Sequence, residues 1–346
     1  MSPSVILRRV LLAAFLLTVT SVQASEVVDA AGRTVSVPQR IERVFAAGPP
    51  AAILLYTLAP DRLVGWNRRP PPQALAYLAH PYGDLPEVGR LTGRGGSANL
   101  EAVLGARPDL ILDYGSISPT FNSLADRVQA QTGLPYVLLD GTFESIPGTY
   151  RRLGALLGIE ARAERLARYA EDVLARAAHL RARGAAPPRV YYARGPDGLE
   201  TGASGSINVE LLDCVGAANV AESVGGARNL VRVSPEQILA WDPDVIITLE
   251  PQFYRGVFDD PLWRGVRAVR RGQVFLAPRD PFGWFDRPPS VNRLIGIPWL
   301  AEVLYGRGST DALAEQAREF YRLFYHLELD DAALGRLLAG AAGSAD

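Results

Sequence analysis

Short apolar runs bounded by Gly and Pro alternate along this chain with stretches of helical spacing. Residues 27–38 alternate Val and Thr about Gly32, which predicts a small hairpin. Arg43-Val44-Phe45-Ala46-Ala47 reads as a buried strand broken by Gly48-Pro49-Pro50, with a helix over 51–58 and a second strand at Leu63-Val64-Gly65-Trp66. A Pro/Arg-rich loop then runs over 67–86. Farther on, 149–157 and 161–183 carry Leu153, Leu157, Leu166, Tyr169, Val173 and Leu180 at helical spacing, and Pro187-Pro188 ends the tract. Its heptads do not persist as a coiled coil requires, so a rigid connecting helix is expected. Strands at 189–192, 245–249 and 274–277 and helices at 209–215, 290–304 and 310–338 follow. Strands that alternate with helices predict parallel βαβ units.

One unit occurs twice. Asn99-Leu100-Glu101 through Arg107-Pro108-Asp109-Leu110-Ile111-Leu112 returns 135 positions later as Ser234-Pro235-Glu236 through Asp242-Pro243-Asp244-Val245-Ile246-Ile247. Each copy has an N-cap residue, a Glu in the first helical turn, a Pro-Asp turn and a buried strand. A first-turn carboxylate ordinarily serves the helix dipole. Its recurrence with the whole unit implies two lobes of one design. The expected architecture is therefore α/β: two Rossmann-like lobes with parallel central sheets, joined by one long α-helix. The N-terminal lobe is placed at 25–147, the connecting helix at 148–186, and the C-terminal lobe with its terminal helices at 187–338. A disordered tail is expected over 339–346.

Composition narrows the chemistry. Of 346 residues, 36 are basic and 37 acidic, and the sequence holds no lysine, so each fixed cation is an arginine. A net charge of −1 argues against nucleic-acid binding, which needs a basic surface. One Cys and three His exclude a disulfide framework and disfavour a bare metal site. Residues 1–24 read as a signal peptide: Arg8-Arg9, an apolar run, then Val22-Gln23-Ala24 as the cleavage site. Export to the periplasm as a monomer is the expectation.

The strings Asn99-Leu100-Glu101 with Arg107-Pro108-Asp109, Leu211-Leu212-Asp213-Cys214-Val215-Gly216, and Val233-Ser234-Pro235-Glu236-Gln237-Ile238-Leu239 resemble the periplasmic binding proteins for iron-siderophores, haem and vitamin B12. The opening, Asp29-Ala30-Ala31-Gly32-Arg33, resembles that family's as well. The resemblance implies two lobes joined by one helix, a ligand held in the cleft, and delivery to the permease dimer of an ABC importer in the inner membrane. It implies that Glu101 and Glu236 dock on permease arginines. It also implies no enzymatic activity and no resident cofactor, the cargo being a metal chelate or anion.

Open α/β sheets bind ligand beyond the carboxyl ends of their strands. That rule selects Trp66 and Arg68, Tyr114, Arg194, Tyr254, and the Pro-rich loop holding Trp284, Phe285 and Arg287. Arg94, in the Gly-rich stretch before the first repeat, is a further candidate. Aromatics beside guanidinium groups suit a flat chelate, whereas an arginine-lined cleft also suits a molybdate- or tungstate-type oxyanion or a nickel complex. Any one aromatic in that loop fits its own lobe's core as well as the cleft. Gly202-Ala203-Ser204-Gly205-Ser206 is a remote hint of an exported hydrolase, but it is not G-x-S-x-G.

Overall fold

A computed structural model describes residues 24–93, 100–182, 186–224, 230–306 and 310–339. Almost all of the expected signal peptide, Arg94, and the tail from 340 onward lie outside these residues.

The chain opens with the hairpin β1 (Ala24–Val28) and β2 (Thr34–Pro38), turned at Gly32 with φ +78°. The Asp29 carboxylate accepts the Ala31 and Arg33 amides at 3.0 and 2.9 Å and the Leu138 amide at 3.3 Å. One buried side chain thus shapes the turn and fixes the hairpin to the sheet behind it.

That sheet is parallel, β3 (Val44–Ala46), β4 (Leu110–Gly115) and β5 (Tyr136–Asp140) in the order β3-β4-β5. Its strands are apolar at nearly every position because helices cover both faces. Helix α1 (Pro49–Leu58) follows β3, α2 (Leu100–Gly105) precedes β4, and α3 (Pro119–Thr132) separates β4 from β5. The strand expected at 63–66 is not one. It makes single bridges, Val44 to Leu63 and Trp66 to Glu87. Gly65 is the reason: a Cβ there would stand 2.4 Å from the Pro86 carbonyl oxygen, so the segment is pressed against the loop that returns beside it.

The expected connecting tract holds two helices, α4 (Ile146–Leu157) and α5 (Glu160–Arg181), parted at Gly158, which is left-handed at φ +69°. They pack closely, since a Cβ on Gly154 would lie 2.2 Å from that of Ala163. The Arg162 guanidinium caps α1 through the Thr57 and Leu58 carbonyls at 2.7 and 3.0 Å.

The second lobe centres on a four-stranded parallel sheet. Its strands are β6 (Arg189–Ala193), β8 (Ala218–Asn219), β10 (Val245–Thr248) and β11 (Val274–Leu276), in the order β11-β10-β6-β8. An antiparallel pair absent from the expected elements, β7 (Glu200–Gly202) with β9 (Leu230–Arg232), stands beside it. The lobe's helices of six residues or more before the terminal segment are α6 (Glu210–Val215), α7 (Pro235–Trp241), α8 (Pro251–Gly256) and α9 (Arg293–Tyr305). The terminal segment is two helices, α10 (Thr310–Phe324) and α11 (Asp331–Leu338), the second capped by the Asp330 carboxylate. One apolar cluster runs continuously through α1, α4, α5, α6, α9 and α10, so the lobes share a core at their junction. Among the described residues no helix is long and apolar enough to cross a membrane.

Candidate functional site

The sequence repeat is also a structural one. In each lobe an arginine at the start of a parallel-sheet strand, Arg43 just before β3 and Arg189 opening β6, donates its backbone N–H to the Asp of the Pro-Asp turn: Arg43 to Asp109 at 2.8 Å, Arg189 to Asp244 at 3.2 Å. The same arginine's guanidinium takes the carbonyl at the end of the short helix, Ala106 at 2.7 Å and Trp241 at 2.6 Å. The residue after that carbonyl is left-handed in both copies, Arg107 at φ 47° and Asp242 at φ 42°. Each short helix is thereby held to its strand by one Arg–Asp arrangement. Glu101 and Glu236 are exposed in the first turns of α2 and α7. The Ser234 cap forms a full capping box with Gln237, and hydrogen bonds from Ser234 and its own backbone hold the Glu236 carboxyl below its ordinary value. Asn99, the matching cap of the first copy, lies outside the described residues.

At the carboxyl ends of the strands, close approaches leave room only for glycine. A Cβ on Gly48 would meet the Thr92 hydroxyl at 2.3 Å, and one on Gly141 would meet the Gly115 Cα at 2.8 Å. Asn67 ties the end of β3 to the returning loop through the Ala46 and Gly89 carbonyls at 2.7 and 2.8 Å. Behind them Asp113 is buried between Thr92, Tyr136 and the Tyr114 amide, and burial raises its carboxyl above the usual range.

Several side chains expected on the cleft wall face the core instead. Trp284 and Phe285 are fully buried. The Trp284 indole donates to the Tyr321 hydroxyl, and Phe285 lies over Tyr192 at 4.1 Å between ring centroids. Trp66 is buried with its N–H on the Tyr82 carbonyl at 2.8 Å, and Tyr114 is buried with its hydroxyl unbonded. The reason is shared: each large ring joins the same apolar cluster, where its burial removes a large area from water. The aromatic of that loop that keeps exposed surface is Phe282, which touches Trp66, Tyr56 and Tyr325 across the lobe junction. Both residues flank Gly283, so nothing in the sequence set Phe282 apart from Trp284. Tyr254 is half-buried, edge-on to Phe258.

The cationic candidates are also largely engaged. Arg194 pairs with the fully buried Asp286 and with Glu200 at 3.1 Å, and Asp286 accepts the Tyr192 hydroxyl at 2.6 Å. Burial pushes the Asp286 carboxyl up, against the pull of Arg194 and Tyr192. Arg287, partly exposed, pairs with Glu250 at the end of β10. Arg68 is exposed.

Across the junction, Arg293 is completely buried. It donates to the Gly141 carbonyl of the first lobe at 2.7 Å and, in the second, to the Ile207 carbonyl and the Glu210 carboxylate at 2.8 and 2.9 Å. Glu210 in return accepts the Phe143 amide at 2.7 Å, and the Ser290 hydroxyl reaches the Pro50 carbonyl at 2.8 Å. A cavity of about 800 Å³ lies in the groove lined by α4, α5 and α6, and none of the expected ligand contacts lines it. Cys214 does, with its thiol pushed up to about 12 by burial, which makes it a poor nucleophile. His80 is a surface residue 3.8 Å from Asp84, and no group of His, Cys, Asp and Glu suited to a metal ion occurs among the described residues.

Two parallel-sheet lobes bridged by a helix, with matched carboxylates, suggest a defined relationship, and residues 77–281 match the family model described as periplasmic binding protein. The chain belongs to that family. A solved solute-binding protein of an ABC transporter from Sulfurospirillum deleyianum is 30% identical, covers 91% of this chain and 99% of its own, and superposes with a TM-score of 0.83. The molybdate-bound periplasmic binding protein of Haemophilus influenzae shares the fold, with a TM-score of 0.73 over 88% of this chain and 99% of its own, at 21% identity. A cobalamin-binding protein of Halobacterium salinarum is 28% identical over 229 residues, 64% of this chain, and the match spans 57% of that relative's length. These periplasmic binding proteins are solute carriers and not enzymes, so the hydrolase alternative has no support among them.

Proposed function

We propose that this chain is a periplasmic solute-binding protein that captures a metal chelate of the ferric-siderophore, haem or corrinoid type between its lobes. It passes the chelate to the permease dimer of an ABC importer in the inner membrane. Cleavage of the leader after Ala24 would leave four of the five paired residues of β1 in place.

The observation that favours a chelate over a bare oxyanion is the pairing of the second lobe's arginines. Arg194 is held by Asp286 and Glu200, and Arg287 by Glu250. A small oxyanion would have to displace those carboxylates before it met a guanidinium fork. A large chelate needs apolar and polar surface, and Phe282, Tyr254 and Arg68 keep exposed surface that it could meet without breaking a pair. The name of the Halobacterium relative points the same way. Glu101 and Glu236, on similarly mounted helices of the two lobes, suit a two-fold permease, and charges there set register and encounter rate more than affinity. An exposed ion pair of this kind contributes ~0.2–1 kcal/mol.

Titration calorimetry of the exported, mass-verified protein against cyanocobalamin, haemin, a ferric siderophore and molybdate tests the reading. Saturable binding of one chelate, with none of molybdate, is the expected result. Tight binding of molybdate alone would reverse it. Calorimetry is preferred to collisional tryptophan quenching because Trp66, Trp263, Trp284 and Trp299 are buried.

A further inference from the structure

Among the described residues the exposed large apolar side chains are Val28, Leu75, Leu104 and Leu239. Leu104 and Leu239 occupy the same position in the two repeat copies, 135 residues apart. Each stands three residues beyond the exposed glutamate of its helix, which puts carboxylate and isobutyl group side by side on one face. The residue before each leucine, Val103 or Ile238, is buried against its own lobe. That fixes which way the helices face. Isolated apolar residues on a surface need no explanation. The same residue at the same place twice, on helices held by the same Arg–Asp arrangement, has the symmetry of a partner with two equivalent halves.

The glutamates determine the chemistry of that partner, since a carboxylate calls for a cation. An arginine brings an aliphatic stem that lies along apolar surface while its planar head meets the carboxylate. A leucine one turn away covers that stem and keeps water from the ion pair, as the near-neutral surround of an interface hot spot does. We infer that Leu104 and Leu239 are twin apolar anchors of the docking surface, each seating the stem of a permease arginine whose guanidinium meets Glu101 or Glu236. The inference rests on the docking reading of the two glutamates.

The test uses the full chain in cells that carry its importer, with photoreactive p-benzoylphenylalanine placed singly at 104, 239, 101, 236 and, as control, 28. Adducts are identified by mass spectrometry, and the captured permease is then purified into nanodiscs for binding measurements at low and high salt. Expected are adducts to the same permease polypeptide from 104 and 239 and none from 28. Leu104→Ser and Leu239→Ser should each weaken binding roughly tenfold at both salt concentrations. Glu101→Gln and Glu236→Gln should weaken it mainly at low salt. Both leucines are exposed, so the unfolding midpoint of the serine variants should be unchanged. Permease captured from 101 and 236 but not from 104 and 239, or leucine variants that bind normally, would overturn the anchors and leave docking intact. No permease from any of the four sites overturns both, and adducts from 104 and 239 to a second copy of this chain overturn the anchors in favour of self-association.

Discussion

Because the chain has no lysine, its buried cations are guanidinium groups, and they fix backbone as often as they meet carboxylates. Arg162 collects carbonyls from α1 and α10, and Arg293 collects them from both lobes. Five N–H donors in a rigid fork make that possible, and a lysine could not replace it. Arginines were visible in the sequence as candidates, but their partners were not. Asp286 and Glu250 become neighbours of Arg194 and Arg287 only through the fold. The aromatics were undecidable for the same reason, since Trp284 and Phe282 differ in which side of one short loop they occupy. Arg162 also perturbs a histidine. His326 is left-handed at φ 57°, its ring 3.1 Å from the Tyr56 carbonyl oxygen and 3.3 Å from Arg162. Burial first, and then the Arg162 charge, lower its pKa from the usual 6.5. The folded state therefore binds this proton less readily than the unfolded chain does. The stability tied to a neutral His326 is complete above pH 6.5 and is lost as pH falls below it. Urea midpoints of the native protein and of His326→Gln, compared between about pH 5 and 8, should show a native advantage that shrinks on acidification. A difference that stays constant across that range would remove His326 as the cause.

At the scale of elements, what could be read from the sequence was the local pattern. The hairpin at Gly32, the buried strands of the two parallel sheets, the repeated helix–turn–strand unit and the α6 helix all follow from periodicity and turn residues within a short stretch of chain. What escaped depended on contacts from farther away. The β7–β9 pair joins segments 30 residues apart, as in Glu200 with Arg232 or Gly202 with Leu230, and neither alternates strongly enough to announce itself. The tract at 148–186 kept its helical spacing across Gly158, where a left-handed residue turned one expected helix into two packed ones. The segment at 63–66 had the apolar run of a strand but lies against 86–88 through the Trp66 and Val88 amides. Gly65 allows that approach, since a methyl group there would meet both the Pro86 carbonyl and the Val88 side chain. Gly65→Ala should therefore destabilise the protein by about 1–3 kcal/mol through overpacking against backbone. Equilibrium denaturation measures it, and a change within a few tenths of a kcal/mol would mean that the loop yields freely.

The whole molecule is two lobes tied at their junction by more than the connecting helix. Arg293 and Glu210 exchange bonds with Gly141 and Phe143, Ser290 reaches Pro50, Phe282 packs on Trp66, and one apolar cluster runs beneath them all. The two lobes were legible from the repeat, and the helical bridge from the apolar spacing between its copies. These ties were not, because they join residues more than sixty positions apart with no motif to mark them. A buried ion pair set against the junction resists opening: moving the lobes apart would strip Arg293 of the Gly141 carbonyl and Glu210 of the Phe143 amide, and removing one partner of such a pair costs about 3–5 kcal/mol. The lobes should therefore hold one relative orientation without ligand. Spin labels on Gln131→Cys in the first lobe and Arg255→Cys in the second, both exposed, report that distance by electron–electron resonance. Cys214 is buried with a raised thiol pKa and should take up little label. A single narrow distance is expected in the free protein, with no shift when the chelate found by calorimetry is added. Arg293→Met keeps the apolar packing but removes the bonds to Gly141 and Glu210, and it should broaden the distribution or lower stability by the amount above. Two well-separated distances in the unsubstituted protein would show that the junction opens despite these bonds, and the rigid reading would then give way to a hinged one.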